Sequence, residues 1–324
     1  MCRIMLGLMA MAALSTPVSL AGHLAAPSSS ALQAAKDLQA TDLGTDRFGN
    51  LWWWDRNSGS LRVLSPEGER LPTAQIEGRY PTAVTFDAEW GAAALDMDRD
   101  LLLLASLTDP PLRVPRDGKA THLAWIGGGR LAVAPSRASH RVEIWDVETR
   151  RIVERWGNEK PISDGPGFHR LRAVLLAWDW EREVLWTLET FTGDLVVFSA
   201  DGHEILHRTL DHPKFATTRA WVDEMEGKEA NGSQDKEDSY LNLWSSLTLG
   251  PDASAWVLEG CDREGGKVDV IRIAADGQLE SRAEDLAGCC PSGFSFWGRE
   301  IVPFRDSRLS GDPSCKLTQE GGVG

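Results

Sequence analysis

The tract "HEILH", His203 to His207, matches H-E-x-x-H, the pattern with which zinc hydrolases set two imidazoles one turn apart on a helix. Here it follows an Asp201-Gly202 turn, in the position that "ERLPTAQI" holds after Gly68 and "QLESRAEDL" holds after Gly277. Those positions read as strands. Four residues of strand span ~13 Å, whereas both ring nitrogens must approach one zinc to about 2 Å. His203 and His207 are therefore expected not to share a metal. No G-x-S-x-G supports serine hydrolase chemistry. Gly127-Gly128-Gly129 lacks the Lys-Ser/Thr pair of a phosphate loop and reads as a turn between strands. The acidic stretch 223–239, "DEMEGKEANGSQDKEDS", lacks the spaced acidic loop that holds calcium and reads as an insertion. No metal or other cofactor is expected.

The elements that must carry these residues recur along the chain. A strand, a polar turn and a second strand appear as "LGTDRFGNLWWWD", "LDMDRDLLLLAS", "LAWIGGGRLAVAPS", "LLAWDWEREVLWTLE", "LTLGPDASAWVLE" and "FSFWGREIVPFRD". A further strand, ending in an acidic turn with glycine, follows as "LRVLSPEGE", "LRVPRDGK", "LVVFSADGHE" and "VIRIAADGQ", and "VEIWDVETRR" takes the same place around Thr149. With turns at Asn50, Asp100, Arg130, Glu183, Ser254 and Arg299, the period is about 50 residues, the length of four short antiparallel strands. The fold class is therefore all-β, a β-propeller of six four-stranded blades, or of five with one enlarged, since only 30 residues separate the second and third turns. Such blades stack face to face, so a middle strand is covered on both sides. That explains Trp52-Trp53-Trp54: alternate side chains leave a strand on opposite faces, so Trp52 and Trp54 should pack on one neighbour and Trp53 on the other. Leu101 to Leu104 read as another strand buried on both faces. The one helix expected lies in "SSSALQAAKDLQA".

"DRFGNLWWWDRNSGSLRVLSPEGE" resembles an NHL-type repeat, and the chain as a whole resembles six-bladed propellers that include gluconolactonase-like and virginiamycin-lyase-like enzymes. The resemblance implies the fold. The lactonase-like members hold a metal with Glu, Asn and Asp from several blades, and no such set can be matched residue by residue here. It supplies the rival reading, a hydrolase or lyase of lactonase-like type.

The chain's 324 residues include 14 Trp against 2 Tyr, and carry a net charge of −14. That charge argues against nucleic acid or an anionic membrane as partner. Residues 1–21 read as a secretory signal, with Arg3, an apolar Ile4–Leu14 run and a small-residue cleavage pattern at Ser19-Leu20-Ala21. Residues 22–39 form an N-terminal segment, and 40–324 the propeller. Export to a periplasmic or extracellular space is expected, with no membrane span. Beyond the signal lie Cys261, Cys289, Cys290 and Cys315. They lack the paired C-x-x-C knuckles of a zinc site and are candidates for disulfides, at least one of which would tie down the last blade.

The segments "GRYPTAV", "GFHRLRAV" and "CCPSGF" occupy matching places before strands expected to be innermost. They bring Arg79, Tyr80, His169, Arg170 and Arg172 towards one mouth of the central channel, where guanidinium groups would suit a small anionic ligand or an acidic protein segment. The sequence thus reads as an exported, monomeric, non-catalytic binding module.

Overall fold

The computed structural model describes residues 26–35, 38–55, 58–73, 81–96, 101–105, 112–115, 119–136, 138–158, 173–190, 192–213, 215–216, 220, 244–252, 254–259, 270–282, 293–297 and 299–305. A short helix, α1 (Ser29–Ala34), comes first, with Ser28 as its cap: the Ser28 hydroxyl accepts from the Ala31 N–H at 3.1 Å. Then come β1 (Leu38–Thr45), β2 (Leu51–Asp55) and β3 (Ser60–Leu64) of the first module. The second holds β4 (Ala83–Asp87), β5 (Gly91–Leu95), β6 (Leu101–Ala105) and β7 (Leu112–Pro115). The third holds β8 (Ala120–Trp125), β9 (Arg130–Pro135), β10 (His140–Asp146) and β11 (Arg151–Asn158). The fourth holds β12 (Val174–Asp179), β13 (Val184–Glu189), β14 (Asp194–Ser199) and β15 (Glu204–Thr209). The fifth holds β16 (Trp244–Leu249), β17 (Ala255–Glu259), β18 (Val270–Ile273) and β19 (Leu279–Arg282), and the sixth β20 (Gly293–Trp297) and β21 (Glu300–Arg305).

Modules two to five are antiparallel four-stranded sheets in simple sequence order. The first and sixth depart from the expected pattern, because they share one sheet of order β20-β21-β1-β2-β3. Its join is a short parallel ladder, Leu38 opposite Phe304 and Gln39 opposite Arg305. The first strand of each module lies beside that of the next, from β1 through β4, β8, β12, β16 and β20 and back to β1. Among the described residues, six inner strands thus form a ring.

Apolar cores fill the seams between modules. Trp52, Trp54, Leu61 and Val63 meet Val84, Phe86, Ala92 and Ala94. On the other face of β5, Ala93 and Leu95 meet Leu123, Leu131 and Val133. The remaining seams follow the same rule, ending with Trp297 and Val302 against Leu43, Leu51 and Leu64. Alternate residues of one strand thus serve two seams. Trp53, as expected, turns away from its neighbours and packs into the seam with the sixth module and α1. Trp54 Nε1 is buried and has no hydrogen-bond partner among the described residues. An unmade bond costs about 1–3 kcal/mol, less than the roughly 4–6 kcal/mol that ~150–250 Å² of buried aromatic surface supplies.

One expectation is corrected by a strand. Asn50, Arg130, Glu183, Ser254 and Arg299 fall at or beside the link from first to second strand, but Asp100 falls between β5 and β6. The equivalent turn of the second module lies between Asp87 and Gly91. "LRVP" is likewise the outer strand β7, whereas its supposed counterparts β3, β10, β14 and β18 are third strands. The second module thus has its full set of strands, with its first turn at 88–90 and not at Asp100.

Candidate functional site at the ring axis

The candidate channel residues Arg79, Tyr80, His169, Arg170 and Arg172, and the four cysteines Cys261, Cys289, Cys290 and Cys315, lie outside the described residues, as does the 223–239 insertion. The strands that follow the three entering segments are β4, β12 and β20, first strands of alternate modules around the ring. His207 lies on the outer strand β15, with His203 just before it. The two histidines have different partners. His203 Nε2 is 3.4 Å from Asp201, whereas His207 lies 2.8 Å from Asp194 through Nε2 and 3.2 Å from Glu204 through Nδ1. Partial burial works against the charged imidazole of His207, but Asp194 and Glu204 outweigh it and raise the pKa. Asp194 also receives the buried Arg141 of β10 at 2.8 Å, so this cluster ties the third module to the fourth.

Along the axis, side chains of one inner strand bond to the backbone of the next. Asp42 Oδ2 on β1 accepts from the Val84 N–H of β4 at 2.9 Å. The Thr121 hydroxyl on β8 exchanges hydrogen bonds with the backbone of Val174 on β12, at 3.3 Å each way. His122 Nδ1 accepts from the Leu176 N–H at 3.3 Å. Ser246 on β16 donates to the Phe294 carbonyl of β20 at 3.2 Å. The wall is therefore sewn with polar groups, and two of them are strongly perturbed. Part of Asp42 remains accessible, but the protein around its carboxyl pushes the pKa up to about 7, against two backbone N–H bonds that favour the anion. Burial drives His122 down to about 4, which agrees with a neutral ring accepting at Nδ1.

At the opposite end from the entering segments, the turns after the inner strands carry a second set. Asp46 Oδ1 accepts from the Phe48 and Asn50 N–H groups, both at 2.9 Å. Asp87 does so from Glu89 and Trp90, and Asp179 from Glu181 and Arg182. Each carboxylate accepts from N–H donors that a tight turn leaves unpaired, and all three are buried. Burial raises Asp46 and Asp87, the latter moderated by Arg47. The third module has glycines instead, at φ of +86°, +60° and +69° for Gly127, Gly128 and Gly129. A Cβ on Gly129 would lie 3.0 Å from the ring of Trp90, and one on Gly127 3.4 Å from Trp180. The bare turn lets two tryptophans close in from either side.

Arg47 reaches out of the first module's turn into this group. Its Nε lies 3.3 Å from Asp87 Oδ2, its Nη2 pairs with Glu89, and its guanidinium carbon sits 4.8 Å from the Phe48 ring and 5.5 Å from Trp180. Sequence reading missed this set. The recurring Asp at the end of each inner strand, in "TDRFGN", "FDAEWG" and "WDWERE", is the signal that could have placed the turns side by side.

Fold and axis together define a β-propeller. No protein-family model matches the chain, and no curated protein matches it. Among solved structures it is similar to virginiamycin B lyase from Staphylococcus aureus, at 10% identity, covering 81% of this chain and 78% of that one with a TM-score of 0.50. A catalytically inactive form of that lyase with quinupristin matches at 11% identity over 80% of this chain and 74% of that one, also at 0.50. The β-propeller domain of Cps50 (Swd1) from Myceliophteria thermophila matches at 13% identity, 81% and 78% coverage and a TM-score of 0.49. The likeness to the lyase is one of fold.

Proposed function

We propose that the chain is an exported, non-catalytic propeller that binds a small anionic ligand or an acidic protein segment at the mouth from which the inner strands start. What supports this reading is that three segments, with Arg79, Tyr80, His169, Arg170 and Arg172 in two of them, precede in sequence the inner strands of alternate modules. On the described wall, Asp42 and His122 are engaged in joining neighbouring strands, and Asp87 and Asp179 in their own turns. Basic side chains at the rim would then be what a ligand meets first. In an oxidising compartment at least one bridge would form among Cys261, Cys289, Cys290 and Cys315, and the denatured exported protein would titrate with two free thiols or none; four would remove this part of the reading.

Calorimetric titration with citrate and with an acidic peptide tests the site. Binding should weaken as salt rises and fall at least about tenfold, the equivalent of ~1.4 kcal/mol, in Arg170→Ala/Arg172→Ala. Equal binding by the variant, or none by the wild type, overturns the proposal. The fold shared with a lyase supplies the rival, and wild-type turnover of a lactone or of a streptogramin B would replace binding with catalysis.

A further inference from the structure

The turn end of the ring holds an arrangement that the binding mouth does not use. Two carboxylates from the second module, Asp87 and Glu89, and two aromatic rings, Phe48 of the first module and Trp180 of the fourth, surround one guanidinium group. Both rings lie within the ~6 Å over which an aromatic face attracts a cation. The first and fourth modules stand opposite each other in a ring of six, so Arg47 spans the axis. We propose that this end of the ring is a guanidinium pocket, filled by the chain's own Arg47, and that its occupant holds the first, second and fourth modules together there.

The pocket is built for its occupant. Asp87 is fully buried, and one of its oxygens is committed to the Glu89 and Trp90 N–H groups of its own turn, which leaves Oδ2 to face Arg47. A buried carboxylate without a cation is costly, and burial does shift Asp87 towards its neutral form while Arg47 opposes this. Trp180 reaches its place because Gly127 presents no side chain. A planar guanidinium can stack on a ring and present several N–H groups to both carboxylates at once; an ammonium cannot do both. Arg47 keeps 24% of its side chain exposed, and Phe48 beside it is 53% exposed, so the pocket can be reached from solvent.

Chemical complementation tests the assignment. Arg47→Ala should lower the thermal midpoint by at least about 2 °C, the shift expected for a loss near 1 kcal/mol in a chain of this size. Millimolar ethylguanidinium should restore most of that loss, while ethylammonium or sodium chloride at the same concentration should not. The wild type, with its pocket full, should show no such response. Trp180→Leu added to Arg47→Ala should abolish the rescue. If Arg47→Ala does not fold, Arg47→Lys takes its place, with the same rescue expected because the ammonium leaves the fork and the stack unmade. An unchanged midpoint in the variant, rescue by any salt alike, or rescue that survives Trp180→Leu overturns the proposal.

Discussion

At the scale of single residues, the two perturbed groups on the inner strands pull stability in opposite directions with pH. Asp42 has a folded pKa of about 7 against an ordinary 3.8. The folded state therefore holds this proton more tightly, and the stability it lends below pH 3.8 is lost as pH rises through 7. His122 has a folded pKa of about 4 against 6.5. Here the unfolded chain takes the proton first, and stability is lost as pH falls from 6.5 towards 4. Each full shift is worth at most about 3–4 kcal/mol, so the two slopes largely offset one another between pH 4 and 6.5. Asp42→Asn keeps an acceptor on β1 but removes one slope. Urea unfolding should show the variant gaining on the wild type between pH 5 and pH 8.5, by up to about 2.7 kcal/mol, the roughly two pH units over which the folded state alone holds the proton. Identical pH profiles would show that Asp42 does not titrate in this range.

At the scale of elements, the turns from third to fourth strand act as seats for the neighbouring module. Gly202, at φ +81°, lies in the turn between β14 and β15, and a Cβ there would collide with the Trp156 ring on the outer strand β11 of the third module. Gly277 meets Leu206 and Arg208 of β15 in the same way. At Gly68 the neighbour is Ala31 of α1, so the helix does for the first module what an outer strand does for the fourth and fifth. Gly202→Ala should combine left-handed strain with overpacking and cost about 2–4 kcal/mol in urea unfolding; a loss under about 0.5 kcal/mol would show that Trp156 yields freely. The period, the turn glycines and the split of Trp52 and Trp54 from Trp53 were legible because each rests on alternation or on one turn. The strand nature of "HEILH" was legible for the same reason. The second module was misaligned because "GAAAL" has little strand propensity and only its burial between two neighbours makes it β5, while "LLLL" offered a better match one strand too late. The role of α1 as a seat could not be read from local pattern. Nor could the Arg47 group, whose parts come from the first, second and fourth modules.

At the scale of the whole molecule, closure of the ring depends on the shared sheet. Modules two to five are each formed from contiguous chain, but β1 must wait for β21, and Trp297 Nε1 donates to the Gly49 carbonyl at 2.8 Å across 248 positions. Bringing such distant segments together carries the largest loop-closure cost in the fold. Pulse-labelled hydrogen exchange during refolding should protect peptides covering 174–209 before those covering 38–45 and 293–305; the reverse order would place the nucleus at the seam. A ring also has a consequence for a chain made from one end. Until β20 arrives, Leu43, Leu51 and Trp53 have no partner from the sixth module, and the Trp256 face of the fifth module is uncovered as well. A product stopped short of residue 293 would thus carry two raw apolar flanks, each shaped to receive a β-sheet. Such a fragment would be a ready substrate for chaperones and proteases, or for its own kind.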